Sequence, residues 1–96
     1  MVIVLLISMR VIRMITNGGN KAVDQWVKFD EDNKQFYSYD SLVATIFYSE
    51  HLKTVLHNPF WDMYSQTTNN YLLKFLNEES ITDIRKKVSS GDYLVV

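Results

Sequence analysis

The chain has no cysteine, a single proline and three glycines among its 96 residues. Without cysteine there is no disulfide, no thiolate zinc site and no thiol nucleophile, a composition that fits a reducing cytoplasm. Three glycines are too few for a phosphate-cradling loop, which needs several at fixed spacing between a strand and a helix. Gly18-Gly19, set between Asn17 and Asn20, reads instead as a break between an N-terminal segment and the body of the chain. A net charge of -1 removes the broad attraction on which nonspecific binders of nucleic acid or anionic membranes rely. The two histidines, His51 and His57, are too few for a three-histidine metal site, and no acidic residue stands at a helical spacing that would complete a two-histidine motif. Asp30 and Asp32 invite a calcium-loop reading, but there is no glycine at the bend and Ser41 stands where the bidentate glutamate is required. No metal, cofactor or catalytic constellation emerges, and a non-enzymatic protein is expected.

What remains is apolar content. With 47% apolar and 14% aromatic residues, the chain can build one modest core and one domain. The apolar run Val2 to Ile7, extended past Arg10 and Arg13 by Val11, Ile12, Met14 and Ile15, is too short to cross a bilayer, which takes about 20 apolar residues. A secretory signal would carry its positive charge before the apolar stretch, so export is not expected either. Residues 1–20 are therefore set apart from a single domain over 21–96. They form an added strand, an added helix, or an upstream extension of the reading frame, with Met9 and Met14 as later starts.

From Trp26 the pattern has period two. Trp26 to Asp30, Gln35 to Tyr39 and Leu42 to Tyr48 read as a three-stranded meander that turns through Glu31 to Lys34 and again at Asp40-Ser41. If Phe29 faces Phe36 and Tyr39 faces Leu42, alternation puts Val27, Phe29, Phe36, Val43 and Phe47 on one face. The other face receives Trp26, Tyr37, Tyr39, Leu42, Ala44 and Ile46, relieved only by Lys28. Both faces are then apolar, and two short helices can cover one. The second face needs the N-terminal segment, a second copy of the chain or a partner protein, with Trp26, Tyr37, Tyr39, Leu42 and Ile46 as the candidate contact residues.

A fourth strand is expected around Lys53 to His57, ended by Asn58-Pro59. Ser65 or Thr67 can cap a helix starting near Thr68, with Leu72, Phe75 and Leu76 turned inward. Ser65, Thr67 and Thr68 at that helix start could alternatively hold an anion, although no arginine or glycine accompanies them. Ser80 starts a second helix with Ile81, Ile84 and Val88 on one side and Gly91 as its stop. Arg85, Lys86 and Lys87 form the basic cluster, and Tyr93 to Val96 a closing strand. The expected architecture is α+β: an antiparallel sheet of three to five strands with two C-terminal helices packed on one face.

Two segments, Phe36 to Tyr39 within FYSYDSLVATI and Tyr64 to Thr68 within YSQTTNNYLLKFL, resemble the shared core of an uncharacterised family of small proteins from phages and prophages of Gram-positive bacteria. The resemblance runs from about Trp26 to Val96, and the long apolar N-terminus and Met63 before Tyr64 depart from it. The resemblance attaches no activity; it implies a small phage or mobile-element protein, cytoplasmic in its bacterial host, and by analogy with phage accessory proteins of this size the expected role is to bind a host protein and inhibit a host enzyme or defence system. A homodimer through the same apolar face is the related alternative. A nucleic-acid accessory protein acting through Arg85, Lys86 and Lys87 is the reading from a different class, disfavoured by the chain's charge.

Overall fold

In a computed structural model, which describes residues 10–48 and 53–96, the chain forms an α+β domain built on one six-stranded sheet. The strands are β1 (Arg10–Ile15), β2 (Lys21–Phe29), β3 (Asn33–Ser38), β4 (Ser41–Phe47), β5 (Thr54–Leu56) and β6 (Tyr93–Val95), neighbours in chain order. All pairings are antiparallel except β5 with β6, which is parallel. A parallel neighbour needs a long crossover. Here the crossover holds a 3₁₀ turn (Trp61–Met63) and two helices, α1 (Gln66–Leu76) and α2 (Ile81–Ser90).

The sheet is wider than the three to five antiparallel strands expected, because residues 10–15 join it at one edge and Tyr93–Val95 at the other. Part of the stretch set apart as 1–20 is thus a strand of the same sheet. The apolar run Val2 to Ile7 and His51 lie outside the described residues.

Register decides the faces. Phe36 pairs with Val27, and Phe29 with Lys34, so the expected Phe29 to Phe36 pairing is wrong by two positions. The connecting loop is tighter than expected, closed where the Asp30 N–H donates to the Asn33 carbonyl at 2.8 Å. A shift of two leaves every side chain on its face. The next hairpin differs more. Tyr39 and Asp40, both with positive φ (49° and 70°), form its two-residue turn, so Ser38 pairs with Ser41 and Tyr37 with Leu42. Two positive φ values are what a type I′ turn requires, and its twist suits a tight hairpin. A bulge then intervenes, since Phe36 pairs with Ala44 and leaves Val43 unmatched. That extra residue reverses the alternation expected for β4. Ala44 and Ile46 therefore stand on the Phe36 face, opposite to the expectation, and Phe47 moves the other way, opposite Asn33.

One continuous row, Ile12, Val27, Phe36, Ala44, Leu56 and Val95, crosses the sheet. Its central members pack with Leu72, Phe75 and Leu76 of α1, Ile84 of α2 and Trp61 of the 3₁₀ turn to form the core. The Phe36 and Phe75 rings stack with centroids 5.6 Å apart. Fully burying a side chain of this size stabilises by about 1.5–3 kcal/mol.

The helices end as their sequences suggest. The Ser65 hydroxyl accepts from the Thr68 N–H at 3.2 Å, and that of Ser80 from the Asp83 N–H at 3.1 Å. α1 stops at Asn77, left-handed at φ 58°, where the Glu78 N–H reaches back to the Leu73 carbonyl. α2 stops at Gly91, φ 87°.

Candidate functional site

The helices cover one face of the sheet. The other face carries two rows fixed by the register: Arg13, Trp26, Tyr37 and Leu42 in one, and Val11, Lys28, Gln35, Thr45, Val55 and Leu94 in the next. It is mixed, not uniformly apolar as expected, because the bulge removed Ala44 and Ile46 and the strands contribute Arg13, Gln35 and Thr45. An open antiparallel face of this kind is ordinary for a one-sided sheet. On this face Val11, Trp26, Lys28, Tyr37 and Asp40 line an open cavity of about 370 Å³.

Each wall of this cavity has a local cause. Trp26 and Tyr37 are direct cross-strand partners, which brings two aromatic bodies side by side. The Tyr37 hydroxyl donates to the Gln35 carboxamide oxygen at 3.0 Å, and the Arg13 guanidinium lies 5.8 Å from the Trp26 ring centroid. Lys28 and Asp40 place one cation and one anion on the rim. Large rigid rings with polar tips beside small side chains suit the anchoring of another protein.

Of the expected contact residues, Trp26, Tyr37 and Leu42 meet on the open face. Tyr39 sits in the turn, 54% exposed, and Ile46 lies on the helix side against the core. Val11, Arg13 and Asp40 join the site unexpectedly. The signal for the first two was present in the alternation of Arg10-Val11-Ile12-Arg13, once those residues are taken as a strand.

The hydroxyls at the start of α1 are committed internally. Ser65 caps the helix, and the buried Thr68 hydroxyl pairs with the Ser38 hydroxyl at 2.8 Å. Thr67 is exposed. Two of the three basic residues of α2 are likewise engaged: Arg85 with Asp62 at 3.3 Å, and Lys87 with Glu78 at 2.7 Å. His57 shares a 2.7 Å hydrogen bond with Thr45, and burial pulls its pKa below the ordinary value, favouring the neutral ring. Among the described residues there is no group of three or more His, Cys, Asp or Glu that could hold a metal, and no helix long and apolar enough to cross a membrane.

Comparison with known proteins finds no matching curated protein and no matching solved structure. A family profile does match, over residues 9–91, and so takes in β1 and the start of β2 ahead of the Trp26 boundary drawn from the two sequence segments. The chain belongs to the family of unknown function DUF8033.

Proposed function

We propose that this chain is a small non-enzymatic accessory protein of phage or mobile-element origin, which binds a host protein through the open face of its sheet and so inhibits or modulates it. The observation that carries the reading is the open cavity lined by Trp26 and Tyr37, on the face opposite α1 and α2. The setting is the cytoplasm of the bacterial host. A second copy of the chain could occupy the same face, and the oligomeric state in solution separates the two occupants.

The nucleic-acid reading loses support from α2, where Arg85 and Lys87 already face carboxylates. It gains Arg13 and Lys28 beside Trp26 on the open face, a cation and stacking pairing that can bind single strands.

The test is affinity capture from host cells with the tagged full chain, its Trp26→Ala variant and its Tyr37→Ala variant, alongside titration with single-stranded oligonucleotides. The expected result is one host protein retained by the wild type and lost by both variants, with no oligonucleotide binding at physiological salt. Retention of the same protein by both folded variants would refute this face as the contact, and salt-sensitive oligonucleotide binding would move the assignment to nucleic acid.

A further inference from the structure

The sheet has an end at β1, and that end is unusual in its chemistry. β1 is last in the strand order, so one side of its backbone has no neighbouring strand among the described residues. Unpaired strand edges are templates for another strand. The side chains here are apolar and outward: Val11 is 57% exposed and Ile12 42%. Flanking them are Arg10 and Arg13. Arg10 pairs with Phe29 on the helix side of the sheet and Arg13 with Trp26 on the open side, their guanidinium carbons 5.7 Å and 5.8 Å from the ring centroids. Among the described residues, neither arginine has a carboxylate partner within ion-pair distance. At the far end, Lys74 donates to the Ile15 carbonyl at 3.2 Å and closes the edge there.

We propose that the outer edge of β1, which no described strand covers, pairs with an extended segment of a partner protein in which two acidic side chains flank two apolar ones. The inference rests on the protein-binding reading above and specifies how the partner docks. A strand laid beside β1 sets its side chains opposite those of β1, on the same faces. Opposite Arg10 and Arg13 an acidic side chain finds a cation, one on each face of the sheet, and opposite Val11 and Ile12 an apolar one finds exposed hydrocarbon. Arg-Val-Ile-Arg has the same charge pattern read in either direction, so the complement, acidic-apolar-apolar-acidic, holds for parallel and antiparallel docking alike. Backbone hydrogen bonds supply affinity and the alternating side chains specificity. Val11 also lines the Trp26 and Tyr37 cavity, which makes edge and cavity one continuous surface.

A second copy does not meet the requirement. Nowhere in the 96 residues do two acidic side chains stand three positions apart, and β1 laid against β1 brings arginine toward arginine. The partner is therefore a different protein. The competing account is that Arg10 and Arg13 merely guard the edge against aggregation, which calls for charge but not for a complementary segment.

The experiment titrates the full chain into fluorescently labelled synthetic peptides carrying Glu-Val-Ile-Glu, Gln-Val-Ile-Gln or Lys-Val-Ile-Lys within the same polar flanks, read by anisotropy. An Arg10→Glu/Arg13→Glu variant is measured in parallel after its fold is checked by circular dichroism. The expected result is binding of the acidic peptide, at least about tenfold weaker for the neutral one, with the preference inverted toward the lysine peptide in the variant. Failure of the acidic peptide to bind, or equal binding by wild type and variant, overturns the proposal. Should the acidic peptide fail while Trp26→Ala still abolishes capture of a host protein, the open-face reading survives and the β1 edge is excluded.

Discussion

Glu78 is the group whose loss should be felt most widely. It sits just after α1, and its carboxylate accepts from Lys87 of α2 at 2.7 Å and from the Tyr93 hydroxyl of β6, so three elements meet at one side chain. Burial alone would push its pKa up, but the hydrogen bonds from Lys87 and Tyr93 and the lysine charge outweigh burial and hold it below the ordinary carboxylate value of 4.5. Tyr93 is pushed up, by burial first and then by its bond to Glu78, while the bond to Glu78 raises Lys87. The perturbation is Tyr93→Phe, which deletes the hydroxyl and keeps the ring. A hydrogen bond to a charged group contributes about 1.5–3 kcal/mol, and the half-exposed position of Tyr93 argues for the lower end, about 1.5 kcal/mol. For a domain of this size that lowers Tm by about 6–12 °C. Urea and thermal unfolding, followed by fluorescence of the buried Trp61, measure the change. Glu78→Gln and the double variant complete a cycle whose coupling should account for most of the loss. The pH dependence has a defined sign. A carboxyl with a lowered folded pKa stabilises above its unfolded value, and that contribution is lost as pH falls from about 4.5 through the lower folded value. Tyr93 and Lys87, both raised, stabilise at neutral pH and lose their contribution as pH climbs past 10.0 and 10.5 toward their folded values. Stability near neutral pH that is unchanged by Tyr93→Phe, or an acid limb that Glu78→Gln leaves intact, would refute the three-way contact.

Two further perturbations test the core and the hairpin. Gln25 is fully buried, with no hydrogen-bond partner for either side-chain polar atom among the described residues, so Gln25→Met exchanges a desolvated carboxamide for a thioether of similar volume. The urea midpoint should rise by the equivalent of about 1–3 kcal/mol at unchanged m-value, and a fall would mean that the carboxamide is satisfied. Tyr39 and Asp40 hold positive φ without being glycine, so the paired replacement Tyr39→Asn and Asp40→Gly should stabilise by about 1 kcal/mol; a loss of stability would indicate another turn geometry.

The elements were legible where side-chain chemistry is local. Hydroxyls announce both helices, Ser80 directly and the first as Ser65 or Thr67, because a hydroxyl can accept from a backbone N–H three residues on; the structure selects Ser65. Leu72, Phe75 and Leu76 announce the buried stripe by spacing. Register was not legible to the same degree. Aspartate and serine favour turns and point to Asp40-Ser41, yet the chain turns at Tyr39-Asp40, where nothing in a tyrosine advertises a positive φ. The bulge at Val43 left still less trace: an unmatched valine resembles any strand valine, and it alone decides which face Ala44 and Ile46 occupy. β6 was legible as a closing strand, expected over Tyr93 to Val96 and found over Tyr93–Val95, but its parallel neighbour β5 is a choice made by the intervening helices.

That single bulge also changes the argument for a partner. With two fully apolar faces, the need for a second cover would have been a demand of stability. With Ala44 and Ile46 turned to the core and Arg13, Lys28 and Gln35 part-exposed on the open face, the sheet does not demand a second cover there. What persists is local: Trp26 and Tyr37 side by side, Val11 and Ile12 exposed at an edge unpaired among the described residues, and two arginines lying over aromatic rings. None of these is required by the fold, because a polar residue at position 11, or a smaller one at 26 or 37, would leave the Phe36, Leu56, Leu72 and Ile84 core untouched. Trp26 is part-buried and outside the core cluster, so Trp26→Ala should cost less than the about 3–5 kcal/mol typical of a core tryptophan, while Trp61→Ala should cost that full amount. Equal destabilisation by the two substitutions in urea unfolding would place Trp26 in the core and remove the open face from consideration as a binding surface.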